Sequence, residues 1–279
     1  MSHRTVVVTG ASSGIGRATA RYLRNREFRV FGGVRNEADA AALREEGIAP
    51  LILDVTDAES ITRAAERPGD EIFGLVNNAG ISVGGPLELL PLSDIRRQLE
   101  VNVLGQVAVT QAFLPAIRAA RGRIINMSSI SGRLAPPFLG PYAMSKFALE
   151  AFSDSLRREL EPFGVEVVSI EPGAIATPIW EKSIAAATER TRNMPDDRWS
   201  LYRDVVGRMV ELARTRANSA TPVEEVAGVV YEALTTKRPR TRYLVGRDAR
   251  LRGWLAWILP DRALDWLIRR QFRANPEIK

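Results

Sequence analysis

Short runs of β-branched and aliphatic residues alternate along the chain with longer stretches in which apolar residues recur every three to four positions. The runs at 5–10 (TVVVTG), 29–34 (RVFGGV), 50–55 (PLILDV), 72–80 (IFGLVNNAG), 122–129 (GRIINMSS) and 165–173 (VEVVSIEPG) read as strands. Between them, 14–27, 37–47, 58–67, about 93–119 and 144–164 read as helices. The strand runs are nearly continuous in apolar character, as in strands buried on both faces. The alternation predicts an α/β fold: a single-domain, doubly wound parallel sheet of Rossmann type, spanning 1–279.

Two regions depart from this rhythm. Residues 177–221 form a polar, helix-patterned insertion carrying Ile179, Trp180, Ile184, Trp199 and Leu201. This reads either as a lid over an apolar substrate or as ordinary helix packing. Residues 249–272 place Leu251, Trp254, Leu255, Ile258 and Leu259 before Pro260, then Leu264, Trp266, Leu267 and Ile268. Arg250, Arg252, Arg262, Arg269 and Arg270 flank them. The pattern reads as an amphipathic helical hairpin that lies on an anionic membrane, covers the substrate mouth, or packs on another subunit.

Composition narrows the chemistry. The 279 residues contain no cysteine, which removes disulfides, thiolate metal sites and thiol nucleophiles and suits a reducing cytoplasm. The sole histidine, His3, lies at the extreme amino terminus, so histidine base catalysis and a metal site are not expected. The start runs directly into a strand without an apolar signal region, and no apolar run is long enough to span a bilayer. The net charge is +6, but basic residues are interspersed with 33 acidic ones and no nucleic-acid-binding motif is present, so no nucleic-acid partner is expected. Of the 39 basic residues four are lysine, Lys146, Lys182, Lys237 and Lys279, and the rest are arginine.

The first strand runs into TGASSGIG, which places Gly10, Ser12, Ser13, Gly14, Ile15 and Gly16 at a helix start. Glycines there let the backbone turn and approach a pyrophosphate, which the free N–H groups and helix dipole attract. At the end of the second strand, where an NAD-binding chain offers a carboxylate, Val34 stands instead and Arg35 follows. An arginine there suits a 2′-phosphate, so NADP(H) is the expected cofactor. Asp54, ending the third strand, either accepts from the adenine amino group or caps the helix that begins near Asp57.

Tyr142 and Lys146 are four apart and share a helix face, which by itself is compatible with surface packing. In order along the chain, however, come TGASSGIG, NNAG (77–80), Asn102 in NVLG, NMSS (126–129), YAMSK (142–146) and PGAIAT (172–177). Over about 4–245 this set resembles the short-chain dehydrogenase/reductase family, and the insertion and tail are similar to its hydroxysteroid and retinol dehydrogenase-like branch. The resemblance implies that Tyr142 is the general acid/base and that Ser129, thirteen residues earlier, bonds the substrate oxygen. It assigns Lys146 to the nicotinamide ribose and to lowering the tyrosine pKa, and Asn102 to a water in a proton relay. On its own, Asn102 reads equally as a polar core residue that bends its helix. A free phenol, with pKa near ~10, would have to fall by ~3 units, about 4 kcal/mol of phenolate stabilisation.

The resemblance also places Asn77, Asn78, Ala79, Gly80, Val55, Pro172, Gly173, Ile175 and Thr177 along the cofactor. It implies interconversion of a ketone or aldehyde and an alcohol on an apolar small molecule of steroid, retinoid or lipid type. Homodimers or homotetramers would form through the long helices, in the cytoplasm or peripherally at a membrane. The rival readings are a 3-oxoacyl thioester reductase and a non-catalytic NADP(H)-sensing module.

Overall fold

The computed structural model describes residues 4–192, 196–218 and 220–273. Seven parallel strands form one sheet in the order β3-β2-β1-β4-β5-β6-β7. They are β1 (Thr5–Val8), β2 (Arg29–Val34), β3 (Ala49–Ile52), β4 (Gly74–Asn77), β5 (Arg123–Met127), β6 (Glu166–Pro172) and β7 (Arg242–Val245). The sheet winds outward from β1 in one direction and from β4 in the other, so the crevice between these two carboxyl ends is the switch point where such sheets hold ligands.

One face carries α1 (Gly14–Arg24), α2 (Glu37–Glu45) and α10 (Val223–Thr235), whose Leu23, Leu43 and Val230 share a cluster with Val6, Val8 and Ile170. The other carries α3 (Ala58–Ala65), α5 (Gly105–Ala119) and α6 (Gly140–Leu160), whose Ile61, Phe113 and Leu156 meet Val7, Leu75 and Ile124. Val6, Val7 and Val8 are wholly buried, each side chain contributing about 1.5–3 kcal/mol of transfer free energy. The alternating inward and outward register of β1 therefore fastens both helical layers.

The sequence pattern located these elements and blurred their ends. Strand runs predicted to include Thr9 and Gly10, Asn78 to Gly80, and Gly173 stop earlier, because those residues turn out of the sheet to form its carboxyl-end loops. The helix expected over 93–119 is α4 (Leu92–Leu99), a π-helical turn (Glu100–Leu104) and α5. The helix expected from 144 begins at Gly140, so Tyr142 lies within its first turn. The sequence reading passed over α10 and β7, although β7 pairs β6 from Ser169↔Arg242 to Pro172↔Val245.

The insertion forms α7 (Ile179–Arg192), α8 (Asp196–Ser200) and α9 (Arg203–Asn218). The tail forms α11 (Arg247–Ile258) and α12 (Asp261–Arg273), and α12 lies against α9. The expectation of an amphipathic α11 requires correction. Its buried residues are Ala249 and Gly253, while Leu251, Trp254, Trp257 and Ile258 are exposed. The close approach of Gly253 to Leu244 and Ile130 holds this helix, rather than an apolar stripe.

Candidate active site

Thr9 organises the crevice between β1 and β4. Its hydroxyl accepts from the N–H groups of Asn78 and Ala79, both at 2.9 Å, and the Asn78 amide donates to Thr9 O at 2.9 Å and Gly10 O at 3.2 Å. The glycine loop and NNAG turn are thereby locked together. Gly10 adopts φ +65°, and a Cβ at Gly16 would lie 2.2 Å from Gly10 O, so neither position accepts a larger residue.

Ser13 precedes α1 with no side-chain cap, and the first turn of that helix has no acid. That donor set and its dipole suit a pyrophosphate. Thr177 also reaches this loop, its Cγ2 lying 3.3 Å from where a Gly14 Cβ would stand. Arg35 is exposed at the end of β2, beside a buried Val34 and with no carboxylate in the ribose-binding place. Its charge acts on Asp54, whose pKa is lowered chiefly by the Thr56 N–H bond and to a smaller extent by Arg35. Asp54 binds Thr56, and Asp57 caps α3 by accepting from Glu59 N, which removes the capping alternative for Asp54. The loop, the bare helix terminus and Arg35 fit a phosphorylated dinucleotide.

Three expected cofactor neighbours present less than their side chains. Asn77 is wholly buried and donates to Thr110 Oγ1 and Asn126 Oδ1, both at 2.9 Å, so it braces β4. The Ile175 side chain lies in the core beneath the loop. Val55 is buried, with its carbonyl pressed against Gly105.

Tyr142, Ser129 and Lys146 converge at the carboxyl end of β5. Ser129, just past that strand, accepts from Ser131 N at 3.1 Å and hydrogen-bonds Tyr142. Lys146, 5% exposed, donates from Nζ to Met127 O at 2.7 Å, and Nζ stands 5.6 Å from the centroid of the Tyr142 ring. Burial pushes the Lys146 pKa down to about 8, with Glu150 resisting. Burial pushes the Tyr142 phenol up, with only the Ser129 bond opposing it.

Asn102 sits in the π turn. Its Oδ1 accepts from Ile81 N at 2.8 Å, and its Nδ2 donates to Ile81 O at 3.0 Å and Ser145 Oγ at 3.2 Å. The side chain is thus committed to fixing the exit of β4 against α6. Gln98 and Gln106 do related work, on Val83 N and Ile81 O and on Ala79 O respectively. The sequence reading missed both. Their signal was available, since 98, 102 and 106 are buried amides spaced by four along one helical face.

Gly173 N donates to Val245 O at 2.9 Å, and Ala174 N donates to Asp248 Oδ2 at 2.9 Å. The first turn of α11 thereby clamps the loop after Pro172. The insertion approaches from the opposite side. Ser183 Oγ donates to Ser82 O at 2.9 Å, Tyr202 OH donates to Glu88 Oε2 at 2.6 Å, and the Phe138 and Tyr202 rings meet edge-on.

The family model for short chain dehydrogenase matches residues 4–188. The chain belongs to the short-chain dehydrogenase family. Among curated members of this family it is 40% identical over 256 residues to a 3-amino-tetrahydro-pyrrolizinone reductase of Xenorhabdus hominickii, covering 90% of this chain and 89% of that protein. It is 39% identical over 285 residues to retinol dehydrogenase 16 of Mus musculus, covering 95% and 89%. A short-chain dehydrogenase from Burkholderia cenocepacia J2315, solved in complex with NADP, superposes with TM-score 0.74 at 29% identity over 95% of this chain and 97% of that one.

Proposed function

We propose that this short-chain dehydrogenase is an NADP(H)-dependent oxidoreductase that interconverts a ketone or aldehyde and an alcohol on an apolar substrate. The observation that carries the reading is the convergence of Ser129, Tyr142 and Lys146 at the end of β5, in a sheet whose β2 ends in Arg35 rather than a carboxylate. Gly10, Ser12, Ser13, Gly14, Ile15 and Gly16 would receive the pyrophosphate at the start of α1, and Arg35 the 2′-phosphate. Asn78, Ala79 and Gly80 would line the next stretch, with Pro172, Gly173 and Thr177 toward the nicotinamide. The cofactor supplies or accepts the hydride.

In reduction, Tyr142 gives its phenolic proton to the substrate oxygen. Ser129 donates a hydrogen bond to that oxygen as negative charge develops on it. Lys146 stands beside the ring as a cation that favours the phenolate once the proton has left. Asn102 serves by holding Ile81 and Ser145 in place. The insertion, tied to Ser82 and Glu88, would present Trp180 and Ile184 to the substrate.

NADPH oxidation, followed by absorbance against steroids, retinal, medium-chain aldehydes and an acetoacetyl thioester with NADH in parallel, tests the reading. Turnover of steroid or retinal with NADPH is expected. Preference for the thioester would replace it with a carrier-linked reductase. Tight NADPH binding with no turnover across the panel would favour a sensor.

Two partner surfaces accompany this reading. Leu104, Met144 and Phe147 are exposed apolar residues on the long helices, which suits a homodimer there, checked by light scattering. On the tail, exposed Leu251, Trp254, Trp257 and Ile258 beside Arg247 and Arg250 suit an anionic lipid surface. No helix among the described residues is long and apolar enough to cross a membrane.

A further inference from the structure

The arm that leaves the sheet after β6 has a side-chain anchor that the mechanism above does not use. From Gly173 to Thr177 the chain runs from the end of β6 to the glycine loop, where Thr177 Cγ2 lies 3.3 Å from the place of a Gly14 Cβ. In the sheet, β5 and β4 stand between β6 and β1, so the arm crosses their carboxyl ends. A dinucleotide that starts at α1 and ends beside Tyr142 therefore lies along it. Backbone bonds hold the first half of the arm. Gly173 N donates to Val245 O at 2.9 Å, Thr221 N to Ala174 O at 2.9 Å, and Ala176 N to Thr221 O at 3.1 Å. Ala174 N is held differently, by Asp248 Oδ2 at 2.9 Å, a side-chain acceptor 74 residues further on.

Asp248 stands in the first turn of α11, where a carboxylate ordinarily serves the free N–H groups of its own helix. Gly246, the residue before that helix, supplies no side-chain cap, yet Asp248 turns an oxygen onto Ala174. Two glycines make room for it. A Cβ at Gly173 would collide with Asp248 Oδ1. A Cβ at Gly246 would stand 2.9 Å from the same oxygen and 2.9 Å from Thr221 Oγ1. Gly246 also adopts φ +96°, which a side chain would strain. The carboxylate is thus seated against the backbone of the arm at the point where the arm leaves the sheet, and Thr221, which bonds the arm twice, packs at the same glycine.

We propose that Asp248 is a positioning residue for the nicotinamide half of the cofactor: by holding Ala174 N it sets where the Gly173–Thr177 arm lies along that half, and it leaves the adenosine half untouched. The inference rests on the reading that lays a phosphorylated dinucleotide along this arm. Its test compares the binding of two probes and requires no substrate.

The probes are NADPH and adenosine 2′,5′-bisphosphate, which carries the phosphates of the adenosine half and no nicotinamide. Each is titrated calorimetrically into the full chain. In Asp248→Ala, NADPH affinity is expected to fall about tenfold, the scale of one lost hydrogen bond to a charged group, while the bisphosphate stays within about twofold of native. Asp248→Asn keeps an oxygen that can accept from Ala174 N, so it should return NADPH affinity to near native. General loosening of the sheet end would weaken both probes, so equal losses overturn the proposal. An unchanged NADPH affinity in Asp248→Ala, or no recovery in Asp248→Asn, overturns it as well. Absence of binding of either probe to the unaltered chain would remove the dinucleotide reading, and the inference with it. If Asp248→Ala does not fold, Asp248→Glu takes its place, because its carboxylate lies one methylene further out and cannot seat at the same point beside Gly173. The same split between the probes is expected there, and its absence sinks the proposal.

Discussion

The nucleotide-facing and catalytic halves of the crevice are built by different means. Around β1 and β4 the site is made of backbone: glycine φ values, N–H groups of α1, and a turn locked by Thr9 and Asn78. Around β5, β6 and α6 it is made of side chains, buried and charged, held by partners distant in sequence. The backbone half selects by shape and resists any added atom. The catalytic half is tuned by electrostatics and can be altered without a change of shape.

Removing the phenol should break the comparison most visibly. Tyr142→Phe is expected to lower turnover by ~10²–10⁴-fold while NADPH affinity, read by fluorescence, stays near native, since the phenol gives a proton and holds no phosphate. A parallel loss of affinity would mean that the halves are not separable. Gly16→Ala should show the converse, with NADPH affinity falling by about 10–100-fold because its Cβ meets Gly10 O, read by calorimetry alongside a thermal melt. Arg35→Ser sharpens the division within the nucleotide half. Loss of one charge-assisted bond, about 1.5–3 kcal/mol, should weaken NADPH by roughly tenfold or more and leave NADH unchanged. The smallest effect belongs outside both halves. Trp257→Ser should reduce sedimentation with anionic vesicles several-fold without altering NADPH affinity, and unaltered sedimentation would remove the lipid surface from the reading.

The same division explains what could be read in advance. The glycine loop, Arg35 and the Tyr142–Lys146 spacing are local patterns, fixed by how a strand turns into a helix or how a helix repeats, and Ser129 was picked out by its resemblance to the family's spacing. The parallel sheet covered by helices on both faces followed from periodicity, but β7 was passed over, being four residues at the far edge of the sheet. The ion pairs of Arg133 with Glu171 and of Arg242 with Glu150 left no trace in the sequence, because their partners are 38 and 92 residues apart and their arginines look like any others in an arginine-rich chain. Spacing reports that a cation stands near Tyr142, but not how much water the fold removes around the phenol. In the tail the two helices parted at Pro260 were legible, but not that small residues, Ala249 and Gly253, hold α11 while its large apolar residues point outward.

The bond from Ala174 N to Asp248 makes that outward-facing helix a remote gauge of the crevice. Free-energy coupling between two sites is reciprocal, so if a nucleotide orders the Gly173–Ala174 loop, the root of α11 is expected to firm with it. Trp254, on that helix and in contact with solvent, is then the side chain whose fluorescence is expected to change on nucleotide addition. Whatever grips the tail from outside, be it a fused partner or a solid support, would change the lifetime of the bound nucleotide without touching it.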